Sequence, residues 1–163
     1  EGVVYAASKG AGTWEFAKCE QDVAPMRIVS REYDCDAPLR FCESAEKGHS
    51  NRGDSGRIID NIGTKGEPAR LDSQCKYALV ARGQADGYLR LPTSNEYVEK
   101  IWDHAAGLCL ATEAGAIVSD VSGKPLDFTH GSRLEQNRGV ICATNGLHQR
   151  IIAAIDELAI AQI

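Results

Sequence analysis

The stretch "IWDHAAGLCLATEAGA", residues 101–116, decides how the rest of the chain is read. It opens on Ile-Trp-Asp-His and runs into alanines and glycines, which predicts a helix over about 102–115 whose small side chains let a neighbour pack close. A carboxylate, Asp103, stands at its mouth. Aspartate suits a helix start because its side chain accepts backbone N–H groups that have no intrahelical partner. It also suits the floor of a site, where a helix can carry it to hold something positive.

Outward from this helix the sequence alternates strands and helices. "GVVYAA" (2–7) reads as a strand, and "SKGAGTWEFA" (8–17) as a Gly-rich turn into a second. "MRIVSRE" (26–32) and "LRFCESA" (39–45) are further strand candidates. A loop then enters a short helix over about 55–62, closed by Gly63. A short strand reaches Leu71, a helix runs over 73–82 to a stop at Gly83, and "GYLRL" (87–91) is a strand ending at Pro92. "AIVSDVSGKPLDF" (116–128) reads as a hairpin about Gly-Lys-Pro, and "RGVICATN" (138–145) as a buried strand. Residues 145–162 form the last helix, with Leu147, Ile151, Ile152, Ile155, Leu158 and Ala159 on its apolar side. No repeat, low-complexity tract or linker divides the chain, so residues 1–163 read as a single α/β or α+β domain built in layers.

Composition narrows the function classes. The chain has 163 residues, 43% hydrophobic and 25% charged, enough for one domain with a real core. It carries 18 basic against 23 acidic residues, a net charge of −5, and no long basic run, which argues against binding a nucleic acid polymer. No apolar run approaches the ~18–20 residues that span a bilayer, so no membrane partner is expected. The start, "EGVVYAASKG", has neither a basic-then-apolar leader nor an initiator Met and reads as a chain continuing from residues upstream. Six cysteines, at 19, 35, 42, 75, 109 and 142, bring disulfides into consideration. There is no CxxC pair and no Asn-X-Ser/Thr, and Cys75, Cys109 and Cys142 fall within apolar or helical patterns. Buried, reduced thiols in a cytoplasmic setting are therefore expected.

In "LDSQCKYAL" (71–79), Ser73 sits where a strand hands over to a helix and Lys76 lies three residues on, along the same helical face. A helix N-terminus offers N–H groups and a partial positive charge to a phosphate, which a hydroxyl and an ammonium would complete. Arg90 lies on the next strand between Leu89 and Leu91 and could join them. The plainer alternative is that Ser73 only caps and the two cations are solvated, and periodicity alone favours it. In "EKGHSNRGDSG" (46–56), Gly53-Asp54-Ser55-Gly56 looks like a serine-protease nucleophile turn, but the fold and partners that such an enzyme needs are not evident. Arg52-Gly53-Asp54 is a common tripeptide, and His49 is a loop histidine able to stack on or hydrogen-bond a ligand. Asp103 alone cannot hold a divalent cation firmly, and Glu113, ten residues on, is too far along the helix to share its site.

Together these words resemble a known family. "WDHAAGLCLATEAGA" (102–116) is similar to the second signature of the inositol monophosphatase superfamily, Trp-Asp-x-Ala-Ala-Gly followed by Glu-Ala-Gly-Gly. "EKGHS" (46–50), "LDSQCKYAL", "ADGYLRLP" (85–92), "EKIWDHAAG" (99–107) and "PLDFTHG" (125–131), in that order, look like its 3'(2'),5'-bisphosphate nucleotidase branch. Those are salt-sensitive phosphatases that convert adenosine 3',5'-bisphosphate to AMP. The likeness covers essentially all of residues 1–163, with "SKGAGTWE" (8–15) as the family's Gly-rich hairpin. The resemblance implies the C-terminal half of a layered αβαβα fold and a Mg²⁺-dependent phosphatase. Its substrate would be adenosine 3',5'-bisphosphate, with 3'-phosphoadenylyl sulfate as a second candidate, in the setting of sulfur assimilation and salt tolerance. It makes Asp103 a metal ligand close to the nucleotide, and matches His49, Ser73, Lys76 and Arg90 to nucleotide-binding positions, reversing the plainer reading of the cradle.

Two departures stand out. Ala116 replaces the last Gly of the second signature, and the first signature, Asp-Pro-Ile/Leu-Asp-Gly-Thr, with the Glu-Glu pair before it, does not occur. The resemblance assigns those metal ligands to an N-terminal half, the expected partner of this chain, which alone would then be inactive or nearly so. A phosphatase acting on inositol phosphates and a module that binds the nucleotide without hydrolysing it are the alternatives.

Overall fold

The computed structural model describes residues 2–17, 23–45, 52–94 and 96–160. Two adjoining strands open the chain, β1 (Val3–Ser8) and β2 (Gly12–Ala17), and β3 (Met26–Ile28) follows. β2 pairs antiparallel with both neighbours. The turn between β1 and β2 needs left-handed backbone at Gly10 and Gly12, φ 79° and 77°, which only glycine adopts at little cost. Next come β4 (Phe41–Glu43), α1 (Arg52–Ile62), β5 (Ala69–Arg70), α2 (Cys75–Ala81) and β6 (Gly87–Arg90). A 3₁₀ turn at Ile101–Asp103 leads into α3 (Ala105–Glu113), and β7 (Ile117–Ser119), β8 (Val140–Ala143) and α4 (Leu147–Glu157) complete the fold.

The second sheet runs β5-β4-β6-β8-β7, with β4 parallel to β5 and to β6, and β8 antiparallel to β6 and β7. Its strands are apolar on both faces, as a sheet covered by helices on each side requires. Phe41, Leu89, Ile141 and Ala143 face a core shared with Ile58, Ile59, Leu147, Ile151 and Ile155 of α1 and α4. The alternate residues Cys42, Tyr88, Val140 and Cys142 face a second core with Tyr77, Val80 and Ala111 of α2 and α3. The small sheet packs on the outside of that helix layer through Ile28, with Ala81 and Ala114 beneath it. The layers are therefore helices, sheet, helices, sheet, the expected α/β class.

Several elements differ from the sequence expectations. The residues at 29–32 leave the β3 ladder because Ser30 N–H is taken by Ala114 O, and β4 is likewise shorter than 39–45. The expected hairpin at 116–128 has only its first arm. Asp120, buried, accepts Ser122 N–H, Ser122 Oγ–H and Lys124 N–H and takes an amide N–H from Asn137, which folds 120–124 into a tight turn instead of a second strand. Gly53-Asp54-Ser55-Gly56 lies within α1, so it is no exposed nucleophile turn. α4 ends at Glu157 rather than 162, and Ala159 is exposed. The described cysteines are free, but Cys75 and Cys35 are exposed rather than buried. Cys42 and Cys142 are the buried thiols, and burial pushes Cys42 up to about 12 and raises Cys142 as well, which leaves both unreactive. Ala116 takes ordinary backbone because the left-handed residue of its turn is Gly115, φ 95°, so the departure from the signature is harmless. Among the described residues no helix is long and apolar enough to cross a membrane.

α2 and α3 touch where Gly107 faces Tyr77, and a Cβ at Gly107 would overlap the Tyr77 ring. Gly107→Ala is expected to destabilise the fold by ~1–3 kcal/mol in denaturant unfolding, despite alanine's better helix propensity; an unchanged midpoint would contradict this contact. His148 of α4 is buried, its Nε2 2.7 Å from Ser119 Oγ, and burial lowers its pKa. Below ~pH 6.5 the unfolded chain takes up a proton that the fold refuses, so stability should fall with pH there. His148→Gln should flatten that acid limb in pH-dependent unfolding.

Candidate functional site

Parallel β4, β5 and β6 all end at the same edge of the sheet, with the chain passing from β4 to β5 on one side and then to β6 on the other. In open α/β sheets ligands bind in the crevice beyond such strand ends. A cleft of about 330 Å³ lies there, and Ser73, Lys76, Arg90 and Asp103 all line it. Four of the five site residues expected from sequence thus share one cavity, although they come from three separate segments. His49 lies outside the described residues.

Each position has a local cause. Ser73 has φ 66°, rare for a residue with a Cβ, and this kink between β5 and α2 delays the helix to Cys75. Its Oγ accepts Cys75 N–H at 3.3 Å and it makes no regular cap, so the expected helix over 73–82 is shortened. Lys76 is buried, 5% exposed, contrary to the solvated alternative. Its Nζ stands over the Tyr88 ring, 5.2 Å from the centroid, and donates weakly to Leu71 O at 3.4 Å. Burial lowers its pKa, with nearby Asp72 pulling the other way.

Asp103 does not cap α3. The helix begins at Ala105, and the side chain of Gln74 does the capping: its Oε1 accepts Gly107 N–H at 2.7 Å while its Nε2 donates to Trp102 O at 2.8 Å. The Asp103 carboxylate is exposed and left over for the cleft. The start of α3 is more open than its alanines suggest, since Ala105 and Ala106 are exposed. Glu113, at the far end, accepts Gly10 N–H and Gly12 N–H, which hold its carboxyl below the usual glutamate range. It pins the first hairpin and takes no part in the cleft. Among the described residues the group of three metal-ligating side chains with donor atoms within 4.8 Å is exposed Asp34, Cys35 and Asp36, and Asp103 is not in it.

Sequence reasoning missed a buried relay beside the cleft. Tyr77 Oη lies 2.7 Å from His104 Nδ1, His104 Nε2 lies 3.0 Å from Glu99 Oε2, and Arg90 Nε donates to Glu99 Oε1 at 2.7 Å. His104 is 1% exposed and Glu99 6%. Burial alone would raise the Glu99 carboxyl, but the hydrogen bonds from His104 and Arg90 outweigh it and hold the group below the ordinary range. Burial raises Tyr77 well above its usual value, so its hydroxyl keeps its proton. Burial disfavours the Arg90 cation too, and Glu99 more than compensates. The signal in sequence was a histidine at the head of an otherwise small-sided helix; its partners lie 27 residues before it and five before it, with no periodicity to join them.

Residues 1–159 match the model of the inositol monophosphatase family. The chain belongs to that family. Within it, the chain is similar to the 3'(2'),5'-bisphosphate nucleotidase of Schizosaccharomyces pombe, 40% identical over 154 residues that are 94% of this chain and 44% of that protein. It is 41% identical over 162 residues to the 3'(2'),5'-bisphosphate nucleotidase of Emericella nidulans, covering 96% of this chain and 45% of that one. The chain thus spans about half the length of these relatives. Among solved structures, an inositol monophosphatase from Anabaena (Nostoc) superposes with a TM-score of 0.68 at 16% identity, over 95% of this chain and 54% of that one. The Staphylococcal IMPase-II gives a TM-score of 0.65 at 19% identity, over 93% and 53%. These confirm the inositol monophosphatase-like fold.

The pH behaviour of Lys76 is a direct check on the cleft. With its folded pKa lowered, the cation costs stability at neutral pH, and that cost disappears as pH rises through the lowered pKa towards the ~10.4 of the unfolded chain. A bound anion favours the protonated form. Inorganic phosphate is expected to raise the melting temperature, that rise should shrink on the alkaline side, and Lys76→Met should remove both the rise and its pH dependence. A phosphate effect that is level from pH 7 to ~10 would contradict this.

Proposed function

We propose that this chain forms the nucleotide-binding side of a Mg²⁺-dependent phosphatase that hydrolyses adenosine 3',5'-bisphosphate to AMP and inorganic phosphate. The observation that carries the reading is the convergence of Ser73, Lys76, Arg90 and Asp103 on one cleft. A chain of net charge −5 places two buried or half-buried cations there, beside the carboxylates of Asp72 and Asp103, which suits a small phosphorylated ligand and not an extended polyanion. The similarity to proteins named for bisphosphate nucleotidase activity supports a nucleotide over an inositol phosphate.

In this reading Lys76 and Arg90 bind and orient phosphate, Ser73 adds a hydroxyl, and His49 contacts the nucleotide. Asp103 fits a Mg²⁺ ligand: it is an exposed carboxylate that no backbone cap uses, and hard cations take oxygen donors. It fits as one ligand of the six or so that such an ion takes. When bound, Mg²⁺ supplies charge for the phosphoryl oxygens and a more acidic water. The remaining ligands belong to the first signature, which residues 1–163 do not contain. We assign them to the N-terminal half of the same protein, so that 1–163 acts as a single C-terminal domain. The free thiols at 42 and 142 are in keeping with a cytoplasmic setting.

Phosphate release with Mg²⁺ from adenosine 3',5'-bisphosphate, with inositol 1-phosphate alongside, tests the reading. The chain joined to its upstream residues is expected to hydrolyse the nucleotide alone, and the chain by itself neither substrate. Hydrolysis of inositol 1-phosphate instead would favour the sister activity, and silence of the joined protein would favour a nucleotide-sensing module. In the joined protein Asp103→Asn should lower kcat by ~100-fold or more, and Arg90→Ala should raise KM by ~10-fold or more. Unchanged kinetics in either variant would remove the role given to that residue.

A further inference from the structure

We infer that Tyr77, His104 and Glu99 are positioning residues that fix the Arg90 guanidinium so that its terminal nitrogens, and not Nε, meet a phosphate of the bound nucleotide. This rests on the nucleotide reading above. The four side chains come from four places: Tyr77 from α2, Arg90 from the end of β6, Glu99 from the segment before the 3₁₀ turn and His104 from the head of α3. Three contacts of 2.7, 3.0 and 2.7 Å link them in series.

The directions are consistent along the whole series. The Glu99 carboxylate can only accept, so His104 Nε2–H donates to Oε2, and the Tyr77 hydroxyl closes the series on Nδ1. The other Glu99 oxygen accepts from Arg90 Nε. With one oxygen engaged on each side, the carboxylate cannot rotate without breaking a bond to a buried partner, and His104 cannot flip without exchanging both of its partners. Arg90 is thereby held by its Nε edge, and Nη2 is steered by Tyr97 Oη at 3.4 Å, with the ring 5.9 Å from the guanidinium carbon. The Tyr88 hydroxyl also hydrogen-bonds the guanidinium, and the Nη1–Nη2 edge, which Glu99 does not occupy, is the one whose shape matches two phosphate oxygens at the cleft wall.

Burying a carboxylate and an imidazole in this way is costly, and apolar residues would fill the same space more cheaply. What the series achieves that an apolar core would not is a guanidinium with one orientation at the wall of a binding cleft. A fixed arginine gives up less conformational freedom when the phosphate arrives.

The test uses the 163-residue chain, with Glu99→Gln, which keeps the volume and removes the charge, and Tyr77→Phe, which keeps the ring. Two readouts are followed: water exchange of the Arg90 Nε–H by NMR, and AMP affinity by calorimetry. In the parent protein the Nε–H should exchange slowly; Glu99→Gln should speed it by ~10-fold or more and weaken AMP by ~10-fold. Tyr77→Phe, two bonds removed, should do both by a smaller factor. Glu99→Gln added to Arg90→Ala should cost no further AMP affinity, since its effect passes through Arg90. Full additivity, or slow exchange retained in both variants, would overturn the proposal. A parent chain that binds no AMP would overturn the nucleotide reading, and the exchange rates would still decide whether Arg90 is positioned. If Glu99→Gln does not fold, Tyr77→Phe decides alone: an unmoved Nε–H and unmoved AMP affinity would overturn it.

Discussion

The Tyr77 ring laid against Gly107 is the contact on which the site side of the molecule depends. It joins α2 to α3 at a separation only glycine permits, and it does so within the core that also holds Tyr88 and Cys142 of the mixed sheet. The same ring turns its hydroxyl to His104 and meets Tyr88 edge-on at 5.2 Å. Packing and polarity are therefore coupled at one residue. If the two helices moved apart, the head of α3 would leave the cleft and take both His104 and Asp103 with it.

This coupling explains how an acidic chain can place two cations, Lys76 and Arg90, in a cleft that Asp72 and Asp103 also line. Lys76 is carried inside by the first turn of α2 and rests on Tyr88, and Arg90 is balanced by a buried carboxylate. Lys76 lies near Asp72 and Arg90 is held by Glu99, and both cations line the one cavity. Gln74 contributes by replacing Asp103 as the cap of α3, which releases the aspartate's charge to the same cavity. The second sheet-helix interface, on the far face of the mixed sheet, is mostly apolar, with the buried His148–Ser119 pair as a polar contact between α4 and β7.

Much of this was legible in the sequence. The strands 140–143 and 87–90 and the helices about 57, 78 and 152 follow from alternation, helical spacing and glycine stops, and the words around Ser73, Lys76, Arg90 and Asp103 pointed to the cleft residues themselves. What was not legible depended on contacts between distant residues. The hairpin at 116–128 failed because Asp120 finds Asn137, 17 residues on, and folds a turn about itself. Asp103 looked like a cap because the better cap, Gln74, lies 33 residues before Gly107. The relay through His104 and Glu99 was invisible for the same reason, since no period connects its members. Ser73 was placed correctly, yet its left-handed backbone has no signature in a Leu-Asp-Ser-Gln sequence.

The most direct test of the central claim is a crystal structure of this chain grown with adenosine 3',5'-bisphosphate. A phosphate group lying between Lys76 Nζ and the terminal nitrogens of Arg90, in the cleft that Asp103 lines, is the predicted result. Nucleotide bound away from that cleft, or a phosphate that leaves Arg90 and Lys76 untouched, would contradict it.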